Sequence, residues 1–470
     1  MIKNSVITLL LFCIFLAGCA SNDKVNGESY PFPQHIDYHV NQMKPSDKSQ
    51  EQLDEMIIDL FRQFLLNDLI VDSDSPQTGD EFRLVFRHYQ AWLINNDSID
   101  VSHLTVSESH GYGMMMLAYM AGSEERLNLS PEQWLFDCTS LKHYFDAMVR
   151  TVLAFPSVSG GTDNKLFAWE LNGYPRDGDN RTGYIIENGI KKAPFTRPAS
   201  GSSATDGDLD IIYALLLADK QWGSDGAYDY KQLALEMLES FWRYCVHREY
   251  HTLLLGDWAQ GSRGTRLGDA TRSSDFVLSH LRAFAEVDKA HDWQLVIDAT
   301  YNVIQEIRDA ENELGNKNGF LPDFVVRSEG RWKVPDGHVL EGSGDGTFAY
   351  NACRIPWRLG TDYILYGDRV IGDSTLFEYI IKPLDDFAKE IGSMTQMGPF
   401  NMDGSSVGWT DPHLFAPPFL LPAAITATDQ DWLDSIWGWN GINAYQGDNY
   451  ADYIKVLVLL IASGNYWTPY

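Results

Sequence analysis

ATDGDLDIIYALLLADKQW, residues 204–222, is the stretch that decides the fold. It places three carboxylates, Asp206, Asp208 and Asp210, at the start of a strongly apolar run. The spacing predicts a helix, and Thr205 or Asp206 could serve only to cap it. Three carboxylates exceed what one cap requires. The segment therefore predicts functional acids just before an apolar helix.

Alternating carboxylates also occur in calcium-binding loops. That motif would place its turn glycine at Ile211 and its distal glutamate at Leu217, so calcium is disfavoured. Beyond Cys19, the well-separated cysteines Cys138, Cys245 and Cys353 show no metal-ligand spacing and allow at most one disulfide. The 12 histidines show no such spacing either, which argues against a metal-dependent cyclase or a lyase. We expect neither a metal nor a cofactor.

Helical periodicity recurs along the rest of the chain. The predicted helices are Gln50 to Leu69, Gly111 to Ala121, Leu141 to Leu153, Leu209 to Gln221, Tyr230 to Cys245, Asp275 to Val287, Trp293 to Ile307, Ala352 to Tyr366, Ser374 to Ile391, Ala416 to Thr426, Trp432 to Trp439 and Tyr450 to Ile461. Strand-like stretches such as Phe324 to Val326 are brief. A dozen helices joined by loops rich in Gly, Pro, Asp and Trp fit an all-α ring of six inner and six outer helices. With 44% hydrophobic residues and no linker-like break, residues 49–470 are expected to form one catalytic domain.

The N-terminus indicates export. Lys3 is followed by a short apolar run that ends in Leu16-Ala17-Gly18-Cys19, which resembles a bacterial lipoprotein cleavage site. We therefore expect a signal peptide over residues 1–18, lipidation of Cys19, a polar tether over residues 19–48, and a membrane-anchored protein in the periplasm or on the cell surface. The alternative is an ordinary cleaved signal with a chance cysteine.

The composition of the chain limits the classes of binding partner. A net charge of −29 argues against binding to nucleic acid. The acidity either keeps an exported protein soluble or attracts a cationic polymer. The 14 Trp and 23 Tyr residues suit stacking on sugar faces, although core packing accounts for most of them. We expect a monomer.

A second segment contains a candidate catalytic residue. Glu108 stands just before Gly111-Tyr112-Gly113 and the apolar helix that follows. Desolvation of a carboxyl group at that junction would raise its pKa and suit it to proton donation. The alternative is a glutamate that complements the helix dipole.

Together these segments resemble glycoside hydrolase family 8. The motifs that carry the resemblance are Ser107-Glu108-Ser109-His110-Gly111-Tyr112-Gly113-Met114, residues 204–222, Asn164 to Trp169, Gly256-Asp257-Trp258, Arg272 to Phe276, and Tyr350-Asn351-Ala352-Cys353-Arg354-Ile355-Pro356-Trp357-Arg358. The resemblance spans roughly Val101 to the C-terminus. It implies an (α/α)6 barrel with an open cleft and an inverting, endo-acting hydrolysis of β-1,4-linked polysaccharide.

The resemblance also implies roles for individual residues. Glu108 would be the general acid, and Asp206 would hold and polarise the sugar at the cleavage point. The chain departs from the commonest pattern at Asn351, where many members have an aspartate base, because an amide cannot take a proton from water. A related subgroup supplies a glutamate from the preceding loop, so we assign the base to Glu341, with Asp345 as runner-up. Activation of the water by Asp206 or Asp257 stays open.

Substrate choice follows from the same subgroup, which includes chitosanases. Because a strongly acidic chain suits protonated amines, chitosan ranks first, ahead of β-1,4-glucan, mixed-linkage glucan and xylan. Candidate substrate-binding residues are Trp169, Asp257, Trp258, Arg272, Asp275, Tyr350, Asn351, Arg354 and Arg358. The alternative from another class is a surface lipoprotein that binds glycans without cleaving them, which Asn351 motivates.

Overall fold

The computed structural model describes residues 28–77, 81–88, 102–173, 183–262 and 264–470. Cys19 and the expected signal peptide lie outside these ranges. The α-helices of the described chain are α1 (Gln50–Asn67), α2 (Ser107–Tyr119), α3 (Leu141–Ala154), α4 (Thr205–Trp222), α5 (Tyr230–Cys245), α6 (Leu278–Val287), α7 (Trp293–Leu314), α8 (Ile355–Tyr366), α9 (Lys382–Ile391), α10 (Pro412–Phe415), α11 (Leu420–Thr426), α12 (Gln430–Gly438), α13 (Asn440–Asn443) and α14 (Asn449–Ser463). A π-helical turn, Phe377–Ile381, leads into α9.

Short strands occupy the loops between helices. They are β1 (Leu69–Asp72), β2 (Leu84–Phe86), β3 (Ser102–Val106), β4 (Glu170–Gly173), β5 (Ile185–Glu187), β6 (Ile190–Ala193), β7 (Phe195–Thr196), β8 (Ala270–Arg272), β9 (Phe324–Ser328), β10 (Arg331–Lys333), β11 (Val370–Ile371) and β12 (Ser374–Thr375). They form small sheets in the orders β2-β1-β6-β5, β3-β4-β7, β10-β9-β8 and β11-β12. Two of these sheets lead directly into the site, since β3 ends where α2 begins and β8 ends at Arg272.

The helices form a closed ring. The inner helices α2, α4, α6, α8, α11 and α14 contact one another in that order, and α14 returns to α2. The outer helices α1, α3, α5, α7, α9 and α12 alternate with them along the chain and bury only one side. This arrangement confirms the predicted (α/α)6 barrel. No helix in the described part of the chain is long and apolar enough to cross a bilayer.

Burial separates the two layers as the apolar pattern requires. Every residue of α2 except Glu108 is buried, and so are sixteen of the eighteen residues of α4. In contrast, α7 buries Trp293, Val296 and Ile297 on one side while Leu295 is exposed. A helix that is apolar all round suits a position inside the ring, and an amphipathic helix suits the outer layer.

Two glycines bring α2 and α4 unusually close together. A Cβ on Gly111 would lie 2.7 Å from the Cβ of Asp210, and one on Gly207 would lie 2.5 Å from the backbone carbonyl carbon of Ser107. Neither position has room for a side chain, because real carbon atoms do not approach so closely. The absence of a Cβ at these positions therefore sets the first turns of α2 and α4 side by side.

Both site helices begin earlier than their periodicity predicts. Helix α2 starts at Ser107 rather than Gly111, and α4 starts at Thr205 rather than Leu209. Hydrophobic periodicity detects only the apolar part of a helix, so it misses a first turn made of polar residues. Its consequence here is that Glu108 and Asp206 belong to the helices themselves rather than to the loops before them.

Residues 28–48, which we call the strap, correct the predicted tether. Phe32 is buried, and backbone N–H groups of the strap donate to carbonyls at the C-terminal ends of five inner helices. These hydrogen bonds are Ser29 to Gln221 at 3.0 Å, Phe32 to Ala121 at 2.8 Å, Ile36 to Gly464 at 2.7 Å, Val40 to Ile364 at 3.0 Å and Met43 to Ala424 at 2.9 Å. Helix ends leave such carbonyls without intrahelical partners. The strap therefore caps the ring, and its polar composition gave no sign of this.

Candidate active site

Glu108 and Asp206 lie in adjacent first turns. The N-cap residues Val106 and Ala204 provide no side-chain cap, so the leading N–H groups of both helices are left for other partners. One of them, the N–H of Gly207, donates to Oδ1 of Asp206 at 2.9 Å. A helix N-terminus favours negative charge, which suits an ionised carboxylate at this position.

Two arginines hold Asp206. Nη1 of Arg354 donates to Oδ2 of Asp206 at 3.0 Å, and Nη1 of Arg272 donates to the same oxygen at 3.2 Å. Burial alone would raise the pKa of Asp206, but the two guanidinium groups outweigh it and hold the pKa below its usual value. Asp206 is therefore a carboxylate at neutral pH.

Glu108 has the opposite ionisation behaviour. Its Oε1 accepts a hydrogen bond from the hydroxyl of Tyr112 at 2.8 Å and another from Nη1 of Arg354. Burial raises the pKa of Glu108 to about 7, and the charge of Asp206 acts in the same direction. Arg354 and Tyr112 oppose this rise without cancelling it. The group is thus able to hold a proton near neutral pH.

Glu341 joins the same network through Asn351. Nδ2 of Asn351 donates to Oε2 of Glu341 at 2.9 Å, and Oδ1 of Asn351 accepts from Nη2 of Arg354 at 2.8 Å. Nη2 of Arg272 lies 3.8 Å from Oε1 of Glu341. The Glu341 side chain is 49% exposed, so it remains open to solvent while it is held in place.

Asp345, the runner-up for the base, instead holds the loop that presents Glu341. Its buried carboxylate accepts four backbone N–H groups at 2.7 to 3.1 Å, from Val339, Leu340, Glu341 and Gly342. These donors occupy the lone pairs that a base would offer to water. The geometry thus assigns Asp345 to positioning of the loop.

Asp257 and Asp275, both predicted to bind substrate, are buried. Asp257 accepts from Ser157 Oγ at 2.6 Å, Asn164 Nδ2 at 2.7 Å and the Ser203 N–H at 3.0 Å, so it ties the α3–β4 loop and the loop before α4 to its own loop. Asp275 is fully buried beside Arg272, and burial raises its pKa. Sequence motifs mark such residues but do not say whether they face the cleft or the interior.

Arg358, another predicted substrate-binding residue, is buried beneath the site. It lies one helical turn beyond Arg354 and is 2% exposed. Its Nη1 and Nη2 donate to Asp210 at 2.9 and 2.6 Å, and the guanidinium packs 3.9 Å from the ring centre of Trp357. This arginine supports the floor of the site from below.

The predicted aromatic residues are partly exposed. Trp169 and Trp258 are half-buried, and Tyr350 is 42% exposed. The sequence analysis did not name two aromatic neighbours of Tyr350. Trp409 contacts its side chain and is 56% exposed, and the hydroxyl of Tyr450 donates to its carbonyl at 2.7 Å. The ring of Tyr450 lies 5.7 Å from the guanidinium of Arg354. Because Tyr450 also bonds Tyr350, it connects Tyr350 to the network around Arg354.

Tyr112 is a partner of Glu108 that could have been predicted from the sequence. It follows Glu108 by four residues, a spacing that places two side chains on the same face of a helix. The motif around Glu108 predicts the role of the acid but no role for the tyrosine. In the structure it is a direct partner of Glu108.

No group of three or more His, Cys, Asp and Glu side chains within the described ranges is arranged to hold a metal ion. The site instead combines a carboxyl group able to hold a proton, an ionised carboxylate between two arginines, and a half-exposed carboxylate in the same network. Acetal hydrolysis uses two carboxyl groups in this way, one to donate a proton and one to activate water. An (α/α)6 barrel with this site belongs to the class of glycoside hydrolases.

Comparisons with known proteins place the chain within that class. Residues 190–376 match Glycosyl hydrolases family 8. The chain is 32% identical to a "Beta-glucanase" of Niallia circulans over 93% of its own length and 91% of the relative, and 29% identical to an "Endoglucanase" of Bacillus sp. over 94% and 82%. The solved apo structure of a β-1,3-1,4-glucanase from Paenibacillus sp. X4 superposes with a TM-score of 0.74 at 30% identity, covering 94% of this chain and all of that one. The chain therefore belongs to Glycosyl hydrolases family 8 and is a glycosidase acting on β-glycans, which sets aside the non-catalytic alternative.

Proposed function

We propose that the protein is an inverting endo-glucanase that cleaves β-1,4 bonds in β-glucan, with mixed-linkage β-glucan as its preferred substrate. The observation that carries the proposal is the network in which Glu108 and Glu341 are joined through Arg354 and Asn351. Two intervening side chains leave space between the carboxyl groups. Inversion needs such a gap, because a water molecule must fit between the base and the sugar.

In the proposed reaction the proton of Glu108 moves to the glycosidic oxygen as its bond to the anomeric carbon breaks. A water molecule attacks that carbon from the opposite face, and Glu341 accepts the proton that the water loses. The amide of Asn351 cannot act as the base, but its Nδ2 bond to Glu341 orients the carboxylate. The charge of Asp206 stabilises the positive charge that develops on the sugar ring in the transition state.

The charge of the network favours a neutral glucan over chitosan. With Glu108 protonated, the carboxylates of Asp206 and Glu341 are matched by the guanidinium groups of Arg272 and Arg354. The net charge of −29 is therefore a property of the whole chain and not of this network. The names of the related β-glucanase and β-1,3-1,4-glucanase point to the same substrate class.

Chitosan is the second candidate, because the overall acidity of the chain would attract a polymer that carries protonated amines. The test is release of reducing ends from mixed-linkage β-glucan, carboxymethyl cellulose, chitosan and xylan in parallel. Glu108→Gln serves as the matched inactive variant, expected to lose about 10²- to 10⁴-fold in turnover while it still binds the polymer. Release mainly from chitosan would overturn the substrate proposal, and substantial turnover by Glu108→Gln would overturn the assignment of the acid.

We further propose that the protein is exported and anchored through a lipid on Cys19. The support is the sequence Leu16-Ala17-Gly18-Cys19 after a short apolar run. Metabolic labelling with a fatty acid should mark the wild-type chain and not Cys19→Ala. Equal labelling of both, or release of the wild-type chain from membranes by salt alone, would contradict the anchor.

A further inference from the structure

Both side chains that bond Glu108 within the described structure meet it at the same oxygen. Tyr112 donates its hydroxyl proton to Oε1, and Nη1 of Arg354 donates to Oε1 as well. A carboxyl group that must pass on a proton needs one oxygen free to carry it. The two donors therefore distinguish the two oxygens of Glu108 before any substrate is bound.

The orientation of Tyr112 is fixed from below by a buried chain of polar contacts. Nη2 of Arg358 lies 3.4 Å from the Tyr112 hydroxyl and 2.6 Å from Oδ2 of Asp210. Nε2 of His280 lies 3.0 Å from Oδ1 of Asp210, and the ring of Tyr213 stacks on that imidazole at 3.7 Å.

These groups come from α2, α4, α6 and α8, and none of them has more than 2% of its surface exposed. Buried polar groups held on several sides have little freedom to reorient. Because Arg358 approaches the Tyr112 hydroxyl as a donor, the hydroxyl proton is directed to Glu108.

We propose that Tyr112 is a positioning residue for the general acid. With Arg354, it reserves Oε1 of Glu108 for hydrogen bonds from the protein, so that Oε2 is the oxygen that carries the proton and delivers it to the leaving group. Arg358, Asp210 and His280 serve this role by holding Tyr112. The inference rests on the proposed role of Glu108 as acid and specifies which of its two oxygens performs the transfer.

The same contact affects how Glu108 titrates. The charged and titratable groups that face it are Arg354 at the start of α8 with Cys353 before it, Asp206 and Asp210 on α4, Tyr112 on α2, and Tyr450 on α14. Among these, Tyr112 lowers the pKa of Glu108, because its hydrogen bond favours the carboxylate. Removal of the hydroxyl should raise the pKa of Glu108 and move the alkaline limb of the activity profile to higher pH.

The test is Tyr112→Phe, which deletes the hydroxyl and keeps the ring. The matched control is Tyr453→Phe on α14, since Tyr453 is equally buried and its hydroxyl donates to the Arg87 carbonyl at 2.9 Å, away from the network. Each variant is assayed on β-glucan and on a β-gluco-oligosaccharyl fluoride, whose fluoride leaves without needing a proton. Thermal unfolding of both variants reports the structural cost of a lost hydroxyl.

We expect Tyr112→Phe to lose about tenfold in kcat on β-glucan, to keep its activity on the fluoride, and to shift the alkaline limb upward. Arg358→Lys should show the same selective loss, and it tests the proposal independently if Tyr112→Phe does not fold. Tyr453→Phe should match the wild type on both substrates.

Equal loss on both substrates, or an unshifted pH profile, would overturn the positioning role. If Glu108→Gln kept its activity on β-glucan, the proposed function itself would fail. The two failures are therefore distinguishable.

Discussion

The side-chain amide of Asn351 donates a 2.9 Å hydrogen bond to the carboxylate of Glu341, ten residues earlier in the chain. The loop that carries Glu341 is held by a different acid, Asp345, which binds its backbone N–H groups. The Glu341 carboxylate is thus open to solvent, while the Asp345 carboxylate is fully engaged in holding the loop that carries Glu341. Two acids four residues apart therefore have separable roles.

Substitution should separate these two roles. Glu341→Gln is expected to lose about 10²- to 10⁴-fold in kcat as a missing base, with the free energy of unfolding within about 0.5 kcal/mol of wild type because the side chain is half-exposed. Asp345→Asn should destabilise the protein by about 1 to 3 kcal/mol, since an amide cannot accept all four N–H groups. Chemical denaturation and turnover on β-glucan measure both effects. Loss of stability in Glu341→Gln with full activity in Asp345→Asn would reverse the assignment.

The ionisation of Glu108 predicts the alkaline limb of the activity profile. Burial raises its pKa to about 7, and the acid must be protonated to act. Activity should therefore fall as the pH rises through about 7, whereas an unperturbed glutamate would already be ionised well below neutrality. The measurement is kcat/KM on β-glucan across the neutral range. An alkaline limb at a pH near the ordinary pKa of glutamate would contradict the conclusion that burial raises the pKa of Glu108.

The contact between α2 and α4 predicts a large effect of one methyl group. In Gly207→Ala the new Cβ would lie 2.5 Å from the backbone of Ser107, so the helices must separate. Overpacking of this kind costs about 1 to 3 kcal/mol, and it should also lower kcat because it shifts Glu108 against Asp206. Gly438→Ala is the control, since nothing lies within 4 Å of its added Cβ. Equal stability of the two variants in thermal unfolding would mean that the close approach is not needed.

The strap predicts a stability effect far from the site. Phe32→Ala should cost about 3 kcal/mol or more, because a buried aromatic side chain is removed from contact with the ring. Asp37→Ala, at an exposed position of the same segment, should leave stability unchanged. Urea denaturation measures both variants, and kcat measured well below the unfolding temperature should not change in either. A neutral Phe32→Ala would show that the strap adds nothing to the barrel.

The helical ring was predictable because its signal is carried by apolar residues. Twelve periodic segments correspond to the twelve helices of the two layers, and the acidic start of α4 marked Asp206. The motif around Glu108 marked the second helix of the site. Physical reasoning on the residues gave the proton-donor role of Glu108, whereas the roles of Asp206 and Glu341 came from the family resemblance.

How deep a side chain lies within the ring of helices could not be predicted from the sequence. Arg354 and Arg358 stand on the same face of one helix, yet one contacts Glu108 and the other lies a turn deeper on Asp210. No pattern in one sequence tells which turn meets the cleft. The strap was missed for another reason, since it binds through backbone N–H groups that every residue except proline has.

The position of the strap has a consequence for approach to the substrate. Glu108, Asp206 and Arg354 lie at or beside the start of α2, α4 and α8, whereas the strap meets the opposite ends of these helices. An 18-residue helix such as α4 is about 27 Å long. If Cys19 carries a lipid as proposed, only nine peptide units, at most about 30 Å, connect that lipid to Glu28. The barrel would then stand on the membrane with its mouth turned outward, and a long glucan chain could slide across it without meeting the bilayer.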